Sequence, residues 1–409
     1  MAALCLSVGA AEASAAQRFA APVGAGTLCT QASPCSLEYA VETAAQPNDE
    51  VIVAPGTYDL GTGELLANDA GLDLHGAAGG AKPLIVSDGD VVLRAFGAGA
   101  TYADLRIEHT GTFDGIWLRN GGTAKRLEVT GTGLRACELD TNAAISDSVC
   151  LATAGGSGLY TNEISNSTLS ATGVTAIGQG PGSGGIHINA GAMGTQAVLN
   201  LRNVIARGAD FDIQAITTGS MAAATVVATS SDYATTEIGP GPGAEAVTPA
   251  GSGSNLTATP AFVDAAGGDF HQAAGSPTID RGTTDGSLGP LDFEGQARIQ
   301  GPAVDIGADE APYVAVPDAT PPQTTISKGP KRRTRSRKAP FVFGSSEAGS
   351  TFACKLDRKA FSPCASPLKL KRLKRGKHTF TVVATDAAGN ADATPATYGW
   401  TVKKRKKGR

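Results

Sequence analysis

The sequence predicts an all-β chain: a right-handed parallel β-helix, wound as a single-stranded solenoid, followed by a small β-sandwich. Three observations carry this reading. Short apolar strands recur between Tyr102 and Ile213 in two interleaved series; one holds Leu105-Ile107, Leu127-Val129 and Val149-Leu151, each 22 residues on from the last. The other holds Ile116-Leu118, Cys137-Leu139, Leu159, Ile186-Ile188 and Phe211-Ile213. Gly-rich turns such as Gly121-Gly122 and Gly155-Gly156 separate the strands, with no helical period between them. A fixed repeat of this length marks units that bury their apolar side only against their neighbours. Beyond residue 322 the pattern changes to longer alternating runs, including Phe341-Val342-Phe343 and His378 to Ala384, as in antiparallel strands packed on one side.

The elements follow in order. Residues 1–16 are small and apolar and end in Ala13-Ser14-Ala15, an A-x-A cleavage pattern, though without a positive n-region; they are expected to be a signal peptide with a truncated start. Ser36 is placed to N-cap a short helix in which Leu37, Ala40, Val41 and Ala44 form one apolar stripe, and that helix would cover the open end of the first coil. Val51-Ile52-Val53-Ala54-Pro55-Gly56-Thr57-Tyr58 is a buried strand followed by a turn. It resembles the first coil of secreted pectin-lyase-like β-helix proteins. Weaker strands follow at Leu72-Leu74, Leu84-Val86 and Val91-Leu93. Asp104, Arg126, Asp147, Asn166 and Asn203 precede the first series of strands and are expected at the coil corners, where Asn and Asp suit turns. Residues 176–185 are expected to protrude as a loop.

From Asn255 to Glu310 several ordered motifs occur: Phe262-Val263-Asp264, Gly268-Asp269-Phe270, Gly275-Ser276-Pro277-Thr278-Ile279-Asp280, Asp292 to Arg298, and Asp305-Ile306-Gly307-Ala308-Asp309-Glu310. This set resembles the C-terminal part of the choice-of-anchor Q family of surface β-helix proteins, and with the coils the resemblance spans residues 28–311. Asp280, Asp292, Arg298, Asp305 and Glu310 are expected to pair around Gly turns and cap the last coil, a structural role rather than a catalytic one. Residues 312–322 read as a linker and 323–402 as the sandwich. There Ser345 to Asp357, Phe361 to Pro367 and Gly376 to Asn390 resemble immunoglobulin-like modules of bacterial surface proteins, and in that resemblance Cys354 and Cys364 staple a hairpin. Residues 403–409 form a basic tail.

Composition bounds the function. Residues 321–409 carry 22 cationic against 4 acidic side chains, a net of +18, whereas residues 1–320 carry 12 against 34, a net of −22. After removal of Cys5 with the leader, six cysteines remain in three near pairs, Cys29/Cys35, Cys137/Cys150 and Cys354/Cys364, which suits an oxidising compartment. For Cys137 and Cys150, placed in successive coils, packing as free thiols is the competing reading. No stretch is apolar enough to span a membrane. The expected protein is therefore a secreted or cell-surface monomer. It would act as a non-catalytic scaffold that binds polysaccharide or an anionic envelope polymer and not nucleic acid.

The alternative is a polysaccharide lyase or glycoside hydrolase. Its outward-facing candidates are Asp104, Asp114, Arg126, Asp140, Asp147 and His187, of which Asp104, Asp147 and His187 are the named catalytic candidates. They do not assemble into the motifs of polygalacturonases, and alternation between Ile186 and Ile188 makes His187 an outward, solvated histidine. No metal-ligand spacing occurs; no cofactor is expected, save Ca²⁺ if the chain is a lyase.

Overall fold

Three strands per turn, each paired in parallel with its counterpart one turn away, build the N-terminal part of the chain. The computed structural model describes residues 15–285, 288–313 and 318–404, in two units, residues 1–313 and 314–409. The expected leader lies outside the described residues up to residue 14, and the basic tail from residue 405.

One turn illustrates the solenoid. Thr101–Ala103 lies on a first face, Arg106–His109 on a second and Asp114–Leu118 on a third; Thr123–Lys125 then begins the next turn on the first face. The third face is an eight-stranded sheet, and the other two merge where Ala144–Ala152 and Ser167–Gly178 run through the corner between them. Side chains alternate along each strand, so every second position enters the interior. The interior rows are Ile107–Val129–Cys150–Ala176–Ala206 on the second face and Leu93–Ile116–Cys137–Leu159–Ile186–Ile213 on the third. All are buried in one continuous cluster. Each fully buried Leu or Ile contributes about 1.5–3 kcal/mol, which lets so glycine-rich a chain hold together.

Leu37, Ala40 and Val41 of the first helical segment join the core, Ser36 Oγ accepts from the Tyr39 amide at 3.3 Å, and Glu42 accepts from the Leu66 amide at 2.8 Å. A strand not foreseen, Gln17–Ala20, pairs in parallel with Glu50–Val53, and the Cys29–Cys35 disulfide holds the loop beside it.

Two expectations about register are corrected. Val129 pairs with Cys150, 21 residues on, so Val149 and Leu151 point outward and Cys150 takes the interior place. Likewise Ile213, not Phe211, continues the row of Ile186. Cys137 and Cys150 sit in successive coils, as expected, but not one above the other. They lie on the third and second faces, and their disulfide crosses the buried interior.

The outward turn of Val149 and Leu151 has a structural reason. Outward rows of the second face are polar in the middle turns, Arg106–Glu128 and Glu108–Thr130, and become apolar at Val149, Leu151, Ile177 and Ile205. Phe270, Phe293, Ile306 and Ala308 cover that apolar patch in a second hydrophobic cluster. The segment from Phe262 to Ala311 is thus a strap along the flank of the solenoid, not a cap over its last coil as the sequence suggested. Among its described residues the regular element is the hairpin Phe262–Asp264 with Asp269–Gln272.

The second unit is a small β-sandwich. One sheet holds Thr324–Lys328, Ala339–Ser345 and Leu368–Leu370; the other is five-stranded and includes Thr351–Leu356, Gly376–Thr385 and Ala396–Val402. Phe341 and Phe380 stack between them at 4.1 Å, with Trp400 edge-on to Phe341 at 5.4 Å. The Cys354–Cys364 disulfide joins the paired strands Thr351–Leu356 and Ser362–Cys364.

The flank packing predicts a local effect. Leu151→Asp puts a charge against Phe270 and Phe293, whose burial leaves it no water. Hydrogen exchange in residues 260–311 is expected to rise more than tenfold while Asp114–Leu118 stays protected. Global loss of protection would instead place Leu151 in the solenoid interior.

Candidate functional site

The sequence candidates fall in two places. Asp104, Arg126 and Asp147 occupy one corner, between the first and second faces, where a single residue with positive φ turns the chain: 56°, 52° and 48° respectively. Gly173 at 62°, Asn203 at 51° and Ser230 at 47° continue this line. Asn166, expected in it, instead accepts the Gln196 amide elsewhere, at 2.8 Å. Asp104 is held by Arg126 through two bonds of 2.7 and 2.5 Å. Asp147 is buried and faces the buried Arg298 at 3.4 Å. Neither carboxylate opens to a cleft with a second catalytic group.

This corner is where the strap docks. Arg298 also donates to the carbonyls of Ala308 and Gly307, the latter at 2.6 Å, and lies 4.0 Å from Glu310. Asn203 bonds the Thr283 backbone in both directions, and Thr175 Oγ1 accepts the Ala308 amide. The acidic strap residues mostly bind backbone amides. Asp280 accepts from Ala303, Asp292 from Glu294 and Gln296, Asp305 from Asp280 and Ala311, and Glu310 from Gln300 and Asp305. Burial pushes Glu310 up to about 7. Gly173 is required here twice over: its φ is left-handed, and a Cβ would lie 2.7 Å from Arg298 Nη2.

Two groups among the described residues bring three metal-ligating side chains within 4.8 Å of one another: His271, Glu294 and Asp309 in the strap, and Asp318, Glu347 and Asp386 in the sandwich. In the first, His271 is already held by Asp269 at 2.5 Å and Glu294 at 3.0 Å. Burial opposes protonation, but these bonds override it and lift His271 to about 9.

The third face gathers the richer constellation. Leu66, Arg94, Trp117, Glu138, Tyr160, His187 and Gln214 form one outward row on successive turns, spaced about 4.8 Å apart. Asp114 and Arg135 stand one row to the side. Arg135 reaches Glu138 at 2.5 Å and Asp114 at 3.6 Å, and its guanidinium lies over Tyr160 at 4.0 Å. The Trp117 indole donates to Asp140 at 2.8 Å, and Arg119 approaches the same carboxylate at 3.8 Å. Arg94 and Arg119 both stack on Trp117. A cleft of about 290 Å³ is lined by Arg94, Asp114, Trp117, Arg135, Glu138 and Asn162.

Electrostatics sets the proton count. Glu138 and Asp114 are 2% and 3% exposed, and Asp114 Oδ1 has no hydrogen-bond partner. Burial, then the neighbouring Asp114 carboxylate, push Glu138 up to about 9; burial also raises Asp114. Both shifts favour a proton shared within this buried pair at neutral pH, as in two close carboxyls.

His187 belongs to this face but is not the solvated histidine expected. It points away from the interior, yet Tyr160 and Phe211 flank it at 4.9 and 6.0 Å and its Nε2 is buried without a partner. Burial, reinforced by Arg135, lowers its pKa to about 4, so it is neutral. The structure thus joins three sequence candidates, Asp114, Asp140 and His187, and separates Asp104 and Asp147 from them. Glu138, Arg135, Trp117 and Tyr160 were missed. The signal was available for two of them, since Trp117 lies between inward Ile116 and Leu118 and Glu138 between inward Cys137 and Leu139. No family model matches the chain, and no curated protein matches it either.

The proton on Glu138 predicts a pH dependence. A carboxyl with a raised folded pKa stabilises the fold fully below its unfolded value, near 4.5, and this is lost as pH rises toward about 9. Glu138→Gln keeps the neutral form at every pH. Denaturation midpoints from pH 5 to 9.5 are expected to fall less steeply in this variant than in the parent; identical slopes would mean Glu138 is ionised throughout.

Proposed function

We propose that the protein is an extracellular β-solenoid that binds a polysaccharide lengthwise along its third face, with the C-terminal module retaining it on an anionic envelope. One observation carries this: the cleft that brings Trp117, Arg94 and Arg135 beside the Asp114–Glu138 pair. Aromatic faces and bidentate polar groups repeated at strand spacing suit a polymer of ring units, which presents both apolar ring faces and hydroxyls. The three disulfides support an oxidising, extracellular setting. No helix of the described residues is long and apolar enough to cross a membrane. The ordered motifs from Phe262 to Glu310 support membership of the choice-of-anchor Q group, and the sandwich supports an immunoglobulin-like module; we hold both as part of this proposal. Binding alone is sufficient for an adhesive or scaffolding role by a monomer.

A second reading rests on the protonated Glu138. A neutral carboxylic acid at pH 7 beside ionisable carboxyls is what glycoside hydrolysis uses. In that reading Glu138 gives its proton to the glycosidic oxygen as the C–O bond breaks, and a water attacks the anomeric carbon while passing its proton to the Asp140 carboxylate.

A panel of neutral and acidic glycans, assayed for both affinity and product, tests the two. Trp117→Ala is expected to weaken binding at least tenfold, about 1.4 kcal/mol. Glu138→Gln should keep affinity within about threefold and, if the chain is a hydrolase, abolish product. Parent protein that binds no glycan in the panel would overturn the proposal.

A further inference from the structure

Most of the described Lys and Arg of the C-terminal module, 13 of 18, lie in three segments. Segments 331–338, 371–377 and 403–404 hold 13 Lys and Arg and no Asp or Glu. The fold ties these segments together at one end of the sandwich. Leu373 and Arg337 bond each other's backbone and side chain, with Arg337 Nε donating to the Leu373 carbonyl at 2.7 Å. The Lys403 amide donates to the Thr334 carbonyl at 2.8 Å, Arg333–Thr334 pairs with Thr401 and Val402, and Gly376 pairs with Val402. All 13 side chains are exposed. The strand Gly376–Thr385 runs from this end to the other, a distance of about 30 Å. At the far end Asp318, Glu347 and Asp386 converge.

These cations are also unmatched. In the solenoid, arginines such as Arg18, Arg94, Arg126, Arg135, Arg207 and Arg298 each face a carboxylate. Among the described residues of the module, no Lys or Arg has a carboxylate within 4 Å; the one ion pair there joins His378 to Asp357. A surface built for solubility interleaves both signs, and so dense a patch of one sign costs self-repulsion that a polyanion relieves.

The character of the patch narrows the partner. Among the described residues, no large apolar side chain is exposed in these segments, so there is no anchor for insertion between lipids. The nearby aromatic rings are engaged: Arg332 covers Tyr398 at 4.3 Å, and Trp400 is buried. The described residues of the three segments include no aromatic ring to stack on nucleic-acid bases, and Phe361, partly exposed on the neighbouring hairpin, has Lys355 Nζ over it at 4.5 Å. We infer that this basic pole is the docking surface of the module for an extracellular acidic polysaccharide, bound through its repeated anionic groups. This rests on the extracellular reading above and specifies its envelope contact.

The test uses the full chain on immobilised polygalacturonate and dextran sulfate, with neutral dextran, duplex DNA and phosphatidylserine vesicles alongside. The carboxylate and sulfate arms distinguish the source of the charge. Lys331→Ser, Arg335→Ser, Lys374→Ser and Arg375→Ser are combined in one variant; all four side chains are exposed and make no side-chain bond within the described residues. At about 0.7 per contact, the slope of log affinity against log salt is expected to become shallower by about 1 to 3, with at least tenfold weaker binding at 0.15 M salt. An unchanged melting temperature shows that the variant is folded. An unchanged slope, binding to neither acidic polymer, or tighter binding to DNA or vesicles than to either polysaccharide would overturn the inference. Trp117→Ala, measured in parallel, reports on the third face alone, so failure there and failure at the basic pole are read separately.

Discussion

A single residue in left-handed conformation, repeated turn after turn, is the constraint on which this solenoid depends. At Asp104, Arg126, Asp147, Gly173, Asn203 and Ser230 the chain bends from the first face to the second without an intervening loop. Such a φ costs a non-glycine residue on the order of 1 kcal/mol. It persists because the parallel strands on either side fix both neighbours, as in Ser146–Thr172 and Ser148–Val174 around Asp147 and Gly173. The tight corner keeps both faces in register, which is why two sheets merge into one there. It also leaves polar groups at a ridge, and the strap uses them: Arg298 on Asp147, Thr283 on Asn203 and Ser230, Ala308 on Thr175 beside the ridge.

The architecture was legible because its period is a backbone property. Parallel stacking repeats every inward position, so even weak apolar alternation accumulates over many turns. Register was less legible because turn length varies. The interior row of the second face advances 22 residues from Ile107 to Val129, 21 to Cys150, 26 to Ala176 and 30 to Ala206. A one-residue change inverts every side chain in a strand. Val149, Cys150 and Leu151 are all apolar, so nothing local to the sequence says which of them faces in. The answer lies over a hundred residues away, in Phe270 and Phe293, which need an apolar surface to cover. For the same reason the ridge position that follows Asp147 could not be read: Asn166 has the expected chemistry, but Gly173 has the space that Arg298 requires.

The third face shows the complementary limit. Asp114, Asp140 and His187 could be named as outward polar residues, but their environment could not. Whether a carboxyl is solvated or buried against another depends on the turns above and below, and here Arg135, Trp117 and Tyr160 close over Glu138 and Asp114. The same closure makes a solvated histidine into a neutral ring between two aromatics. Polar chemistry on a solenoid is thus set by rows running across the strands, whereas sequence motifs run along them. Scanning for a compact triplet along the chain misses a site assembled from one residue per turn.

Charge follows the same division between what is local and what is not. A net of −4 describes neither part of this molecule. Within the solenoid, Arg135 and Arg298 sit where burial would make an unpaired carboxylate costly, and each is surrounded by more than one acid. Removing either would leave buried anions that must take up protons. Those arginines are part of the interior chemistry of the fold. In the sandwich the hydrophobic core asks nothing of the cations. The core of Phe341, Phe380 and Trp400 is complete without them, and most of them stand at one pole with no carboxylate partner among the described residues. The solenoid and the module therefore differ in how their charges are placed: in the first they are paired with one another inside the fold, and in the second they face outward without a carboxylate, the arrangement on which the inferred docking rests.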